Sequence, residues 1–314
     1  MIEITGLTKT YSKLTALQDL NLTIQRGEVF GFIGPNGAGK TTTMRILTTL
    51  LKQTSGEAFI GGYSVAENPN EVRRLIGYMP DFFGVYEDMK VWEYLDFFAA
   101  CYEVPFHQRR GMIGDLLDLV DLGHKRDAFV ESLSRGMKQR LCLARTLAHD
   151  PQVLILDEPA SGLDPRARIE MRELLRELQG MGKTIFFSSH ILSEVADICT
   201  SIGIMEAGKL VAYGNLEEMR RQLQVHRLIQ VRLLGATEPL KERLLHVPLV
   251  QSVTDGTAVE LTPDIVRFDF TGDDMELSHL LRDLIQEGLP IISFSEEMGD
   301  LEDVFMHATR GIVN

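Results

Sequence analysis

A glycine-rich stretch between an apolar run and a helical pattern carries the most specific chemistry in the chain. It reads GPNGAGKT over Gly34–Thr41 and fits G-x-x-x-x-G-K-[ST]. Its glycines let backbone N–H groups point inward and a following helix adds its positive dipole, so such a loop can hold a triphosphate. We predict that Lys40 reaches the β- and γ-phosphates and that the Thr41 hydroxyl ligates Mg²⁺. The residues predicted to surround the phosphates are Gly34, Pro35, Asn36, Gly37, Ala38, Gly39, Lys40, Thr41 and Thr42.

Two carboxylates, Asp157 and Glu158, directly follow the apolar run Val153–Leu156. An unpaired carboxylate at the end of a buried strand is costly, so its presence indicates a task. Beside a phosphate loop, Asp157 would hold Mg²⁺ through a water molecule and Glu158 would polarise the attacking water as a general base. The alternative is that these carboxylates cap a following helix.

Further motifs give the chain a resemblance to the ATP-binding cassette, or ABC, ATPases. Residues 133–140, LSRGMKQR, resemble the family signature, which kinases and GTPases lack. Residues 161–164, SGLD, resemble the family's D-loop. Tyr11 stands where the family places an aromatic ring on adenine, and His190 stands at its switch histidine. The motifs extend from Tyr11 to His190 in the order of one complete cassette.

The resemblance implies a head-to-tail pair of cassettes that closes on two ATP molecules. In that arrangement Ser134 and Gly136 complete the ATP site of the other subunit, and the D-loop residue Asp164 also belongs to the nucleotide site. His190 would hydrogen-bond the γ-phosphate and join Glu158 as a catalytic residue. The residues alone leave alternatives open, because Ser134 is also a residue type that caps its own helix. A lone histidine or tyrosine is ordinary at a surface.

The sequence departs from the family pattern in two places. In the signature, Arg135 and Met137 replace the usual glycine and glutamine, and we expect the added positive charge to assist contact with the partner's phosphate. Asp81 occupies a position where the family has glutamine. It keeps an oxygen ligand, but it loses a donor and shortens the reach. We expect Asp81 to contact the Mg²⁺ ion, either directly or through a water molecule.

The order of apolar runs and helical patterns predicts the elements that position these motifs. Short apolar strands alternating with helical stretches are typical of a parallel sheet covered by helices. The expected strands are Ile2–Ile4, Leu20–Ile24, Glu28–Ile33, Val153–Leu156 and Thr184–Phe187. Three helices are expected at Glu93–Tyr102, Arg109–Val120 and Gly136–His149. With the resemblance, this predicts an α/β P-loop cassette over residues 1–215, a RecA-like core with a helical subdomain at about residues 88–150.

A change of pattern after residue 215 predicts a second, smaller domain. We expect a linker over residues 216–224 and an accessory or regulatory domain over residues 225–314. Its order of strand, helix, strand, strand, helix, strand favours an α+β sandwich of the ferredoxin-like type, with elements at Leu228–Leu234, Lys241–Leu245, Val250–Thr254, Val266–Phe270, Glu276–Glu287 and Pro290–Ser295. Its ending, Ile291–Met306, resembles the C-terminal segment of bacterial ABC-2 type exporter ATPases. That resemblance implies a role in dimerisation or regulation, and the rival is a ligand-sensing module.

Composition narrows the class of partner. The 314 residues include 32 Lys and Arg against 45 Asp and Glu, a net charge of −13, which disfavours a nucleic-acid coat. Leu216–Asn314 holds nine basic and 18 acidic residues, so the acidity is concentrated there.

The three cysteines form no CxxC pair and favour a reducing compartment. We find no signal core and no apolar run of the roughly 20 residues that cross a bilayer, and therefore expect a separate membrane-spanning partner.

Taken together, the sequence predicts the ATP-binding and ATP-hydrolysing subunit of an ABC transporter. We expect it to pair with a second cassette and to work, in export, on the inner face of the cell membrane with a separate permease. Residues 82–92 are unusually aromatic for a loop; they either receive the permease or cover the helical subdomain's own core. The rival functions are a soluble ABC ATPase in translation or repair, and a cassette that binds ATP only as a scaffold.

Overall fold

The computed structural model describes residues 1–12, 14–82, 84, 86, 88–191, 195, 198–215, 219, 227–255 and 264–297. These residues divide into two compact units, one up to Met219 and one between residues 227 and 297. The first unit contains, in chain order, β1 (Ile2–Tyr11), β2 (Leu14–Ile24), β3 (Val29–Ile33), α1 (Lys40–Leu47), β4 (Ser55–Ile60), β5 (Tyr63–Ser64), α2 (Pro69–Leu75), β6 (Ile76–Met79), α3 (Val91–Cys101), α4 (Phe106–Leu119), α5 (Arg135–Leu147), β7 (Val153–Leu156), α6 (Pro165–Gly180), β8 (Thr184–Ser189), β9 (Ser201–Glu206) and β10 (Lys209–Gly214).

One sheet of this unit is antiparallel, with strand order β2-β1-β4-β5. The two short strands expected at Ile2–Ile4 and Leu20–Ile24 are only the ends of a longer hairpin, in which Tyr11 pairs with Leu14 next to the turn. The prediction was too short because polar threonines and lysine interrupt the apolar signal, whereas Leu7 and Leu17 keep one face buried.

The other sheet has strand order β10-β9-β3-β8-β7-β6 and is parallel except for β10. Strands β3, β7 and β8 are buried along their whole length, which confirms the expected parallel sheet covered on both faces. Phe30, Phe32 and Phe186 fill its interior, with ring centroids 5.3–6.1 Å apart. The carboxyl ends of β3, β6, β7 and β8 therefore meet at one edge, where the predicted motifs follow them.

The three expected helices between residues 88 and 150 are confirmed as α3, α4 and α5, each within a few residues of its predicted bounds. They pack on one another through buried apolar residues that include Leu95, Leu117 and Leu143. Helix α5 brings the signature residues at its N-terminus towards α6, since a Cβ at Gly136 would lie 3.2 Å from the Ala167 Cβ.

The second unit contains β11 (Arg227–Leu233), α7 (Glu238–Leu244), β12 (Val250–Asp255), β13 (Ile265–Phe270), α8 (Asp274–Gln286) and β14 (Ile291–Glu297). Its sheet is antiparallel with order β12-β13-β11-β14, and the sequence of elements is that of the ferredoxin-like motif, as expected. Alternate residues of β11 and β13, such as Val231 and Phe268, form its core with Leu284 of α8.

Within the part of the chain that the structure describes, no helix is both long enough and apolar enough to cross a bilayer.

The bulge between β1 and β4 allows a test of the fold. Gly56 and Gly62 both have φ near +84°, but a Cβ on Gly56 would overlap the Gly6 carbonyl oxygen, whereas one on Gly62 meets no atom within 4 Å. Gly62→Ala should lower the free energy of unfolding by about 1 kcal/mol, the cost of left-handed backbone alone. Gly56→Ala should cost more than about 3 kcal/mol, because backbone must also move.

Urea unfolding followed by the fluorescence of Trp92, the chain's single tryptophan, measures both variants in the first unit. Equal losses for the two would show that the close approach of β1 and β4 is unimportant.

Candidate active site

The predicted phosphate loop connects β3 to α1. Gly37 and Gly39 have φ of 83° and 107°, a backbone region that favours glycine. A Cβ at Gly34 would lie 2.5 Å from the Met205 carbonyl oxygen, so this position also requires glycine for its close approach. Gly39 occupies the N-cap of α1 without a side chain that could cap it. The loop and the helix N-terminus can therefore direct backbone N–H groups at an anion.

The Lys40 ammonium lies inside this loop. Its Nζ donates to the carbonyl oxygens of Gly34, at 2.6 Å, and Pro35, at 3.2 Å, and lies 3.7 Å from Oε1 of Glu158. Only 6% of Lys40 is exposed. Burial lowers the pKa of Lys40 below its ordinary value, and the negative charges of Glu158 and Asp157 oppose that shift.

Asp157 follows β7 and is 1% exposed. The Ser188 hydroxyl at the end of β8 donates to its Oδ1 at 2.7 Å and accepts a hydrogen bond from the Glu158 N–H at 2.9 Å. One hydroxyl thus joins both acidic residues. The sequence prediction missed Ser188, although the parallel pairing of Leu156 with Phe187 brings the next residue of each strand side by side.

Glu158 connects the phosphate loop to the switch position. Its Oε2 lies 2.8 Å from Nδ1 of His190, and its Oε1 faces Lys40. Its φ is +52°, an uncommon value for a residue other than glycine and typical of functional sites. The structure therefore brings Lys40, Asp157, Glu158 and His190 into one connected cluster.

The helix-cap alternative for these carboxylates is not what the structure shows. Asp164 is the N-cap of the following helix α6, and its Oδ1 accepts a hydrogen bond from the Ala167 N–H at 2.8 Å. Ser134 likewise caps α5 by accepting from the Met137 N–H at 3.3 Å. With Gly136, these two capping residues line an open cleft beside the N-termini of α5 and α6.

Asp81 lies two residues beyond the end of β6, the strand that neighbours β7. The N–H of Asp157, which follows β7, donates to the carbonyl oxygen of Met79 at the end of β6, at 2.8 Å. Partial desolvation and the negative charges of Asp157 and Glu158 raise the pKa of Asp81, and the Arg135 guanidinium opposes the shift. Among the described residues, no group of three or more His, Cys, Asp or Glu side chains is arranged to hold a metal ion by itself.

Tyr11 stands near the hairpin tip with 42% of its surface exposed. The Lys9 ammonium lies 5.0 Å from the centroid of its ring, a cation–π contact. The Lys9 side chain thus supports the Tyr11 ring, and the exposed part of the ring remains available to stack on a base.

The chain is similar to ATP-binding proteins over nearly its whole length. It is 33% identical to the bacitracin transport ATP-binding protein of Bacillus licheniformis, over 99% of this chain and 98% of that protein. It is 40% identical to an uncharacterised ABC transporter ATP-binding protein of Nostoc sp., over 66% of this chain and 62% of that protein. A solved dimeric ATP-binding cassette bound to ADP and phosphate has a TM-score of 0.63 and 26% identity, over 69% of this chain and 99% of that one.

The Ser188 bridge yields a test. Ser188→Ala leaves the buried Asp157 oxygen and the Glu158 N–H without this partner, which costs on the order of 1–3 kcal/mol. The maximal rate of ATP turnover should therefore fall by about tenfold or more. Thr184→Val is the control, because it removes another buried hydroxyl that accepts a backbone N–H, that of Gly27, at the opposite end of the same strand. Equal rates for the two variants would contradict the role of the bridge.

The sequence profile described as ABC transporter matches residues 17–161, which include the phosphate loop, the signature and both carboxylates. The site geometry, this match and the near full-length relatives agree. This chain belongs to the ATP-binding subunits of ABC transporters, and it is an ATPase of that family.

Proposed function

We propose that this chain hydrolyses ATP to power export through separate membrane subunits. The observation that supports this most directly is that the carboxylate of Glu158 contacts both the buried Lys40 ammonium and the more exposed His190 ring, at the carboxyl edge of the parallel sheet. The relative named for bacitracin transport supports a transport role. Export rests on the likeness of Ile291–Met306 to ABC-2 type exporter ATPases, part of which lies outside the described residues. A soluble role in translation or repair is not favoured, because the relatives are transporter subunits.

In the proposed mechanism, Glu158 is the general base. It is held from three sides: Lys40 faces one carboxylate oxygen, His190 the other, and Ser188 receives its backbone N–H. A base fixed in this way can accept a proton from the attacking water without first changing its position. Catalysis of phosphoryl transfer depends mainly on such positioning and on electrostatic stabilisation. His190 contacts the γ-phosphate, and Lys40 meets the charge of the β- and γ-phosphates.

The residues present suit Mg²⁺. The Thr41 hydroxyl and the Asp157 carboxylate are hard oxygen donors, with Asp81 as a third group nearby, and Mg²⁺ prefers one or two carboxylates together with phosphate oxygens. When bound, Mg²⁺ neutralises charge on the β- and γ-phosphates.

A second cassette would complete the site. Ser134 and Gly136 lie at the N-terminus of α5 in an open cleft with Asp164, where a helix dipole favours a phosphate. The solved relative bound to ADP and phosphate is a dimer, which supports a pair of cassettes here. We propose that the ferredoxin-like unit assists this pairing or regulates it.

The aromatic segment is the proposed contact for the membrane subunit. Phe82 is 90% exposed. Tyr86 has ring contacts with Tyr94, Phe97 and Phe98 at 5.4–6.5 Å and is still half exposed, so it covers α3 and also faces outward. Glu87, expected at the same contact, lies outside the described residues. An exposed ring beside a fixed aromatic cluster is typical of a residue that anchors a protein interface. Because the proposed partner spans the membrane, we propose that this protein works at the inner face of the membrane.

Replacing the base tests the proposed chemistry. Glu158→Gln keeps the shape of the side chain but removes the basic oxygen, so the rate of ATP turnover should fall at least about a hundredfold. ATP binding should persist, because the phosphate loop is unchanged. Glu173→Gln, on the exposed side of α6, is the matched control. Turnover by Glu158→Gln at the wild-type rate would instead favour a scaffold that binds ATP without hydrolysing it.

Removing one exposed ring tests the membrane contact. Phe82→Ala should reduce the share of the chain that sediments with cell membranes by about half or more, because an anchor residue at an interface contributes disproportionately to binding. Phe106→Ala removes an equally exposed ring from the start of α4 and should leave sedimentation unchanged. Full retention of Phe82→Ala on membranes would mean that this segment only covers its own helices.

A further inference from the structure

Arg135, the residue that replaces a glycine in the signature, binds a backbone segment of its own chain. It is the first residue of α5, directly after the capping Ser134. Its Nη2 donates to the carbonyl oxygen of Ser161 at 3.1 Å. A Cβ built on Gly162 would overlap the Arg135 guanidinium, so this group lies directly on the glycine backbone. A glycine at position 135 could make neither contact.

Helix α5 makes a second hydrogen bond to the segment that follows Glu158, residues 159–162. Gln139, one helical turn beyond Arg135 and on the same face, donates to the carbonyl oxygen of Pro159 at 2.6 Å. Within the segment, the Ser161 N–H donates to the Glu158 carbonyl oxygen at 3.0 Å. The carbonyl groups of Pro159 and Ser161 are thus held by two side chains of one helix, and that of Glu158 is held by the turn itself.

Both ends of this segment are in left-handed backbone. Glu158 has φ of +52° and Gly162 has φ of +67°. A residue other than glycine keeps such a conformation only where its surroundings impose it. The carboxylate of Glu158 depends on that conformation for its contacts with Lys40 and His190.

We propose that Arg135 is a positioning residue that clamps residues 158–162 and thereby fixes the Glu158 carboxylate. The clamp acts within one chain and joins the helix that carries the signature to the segment that carries the base. It rests on the proposed role of Glu158. It also differs from the expectation that Arg135 serves the partner's phosphate, because here its guanidinium is engaged by the Ser161 carbonyl group.

Three variants of the full chain test this proposal by steady-state ATP turnover. Arg135→Ala should lower kcat about tenfold and change KM less than about twofold, because only the base is misplaced. Arg135→Lys should restore kcat only in part, since an ammonium can donate to the Ser161 carbonyl oxygen but cannot lie flat on Gly162. Arg110→Ala is the control; it removes the same charge from an exposed position of α4 and should match the wild type.

Hydrogen exchange supplies a readout independent of turnover. In Arg135→Ala, peptides covering residues 158–164 should exchange faster, whereas those covering residues 34–42 should not change. If Glu158→Gln showed that Glu158 is not the base, this measurement would still test the clamp.

A double-mutant cycle identifies the contact itself. Gly162→Ala displaces the guanidinium, so its effect on kcat should be smaller in the Arg135→Ala background than in the wild type. The proposal is overturned by additive effects, by unchanged exchange over residues 158–164, or by full rescue with lysine. A rise in KM without a fall in kcat would instead assign Arg135 to nucleotide binding.

Discussion

The burial of charge at one edge of a parallel sheet is the constraint on which the rest of the first unit depends. Lys40 and Asp157 are almost completely enclosed, and an enclosed charge is tolerated only when it is paired and hydrogen-bonded. The carbonyl groups of the phosphate loop, the Ser188 hydroxyl and Glu158 provide those partners. These groups lie close together because neighbouring parallel strands end at the same edge of the sheet. The chemistry of the site therefore depends on the order of the strands.

Sequence reasoning succeeded where chemistry is local. The strand–loop–helix order around Gly34–Thr41 could be predicted because its glycines, lysine and helix start are contiguous, and the ferredoxin-like unit could be predicted from its order of strands and helices. It failed where a contact depends on pairing between distant strands or helices. Ser188 acquires its role from the register of β8 against β7, and Arg135 meets Ser161 only because α5 approaches the segment after β7. The first hairpin was underestimated because polar residues can extend a strand whose other face is buried.

The two units solve different physical problems. The first unit must bind negatively charged phosphates, and the buried Lys40 provides a positive charge for that purpose. The second builds an ordinary core from one face of an antiparallel sheet and two helices. This division accords with a unit that performs the chemistry and a unit that assists or regulates it.

The left-handed backbone at Glu158 has a consequence for how the protein would respond to selection for stability. Glycine or asparagine would adopt that conformation at less cost than glutamate does. That gain in backbone free energy would come with the loss of the carboxylate that faces the buried Lys40 ammonium, and so with a buried charge left without this partner. Position 158 therefore offers no route to a more heat-resistant enzyme, and a stabilised form of this protein should be sought elsewhere in the chain.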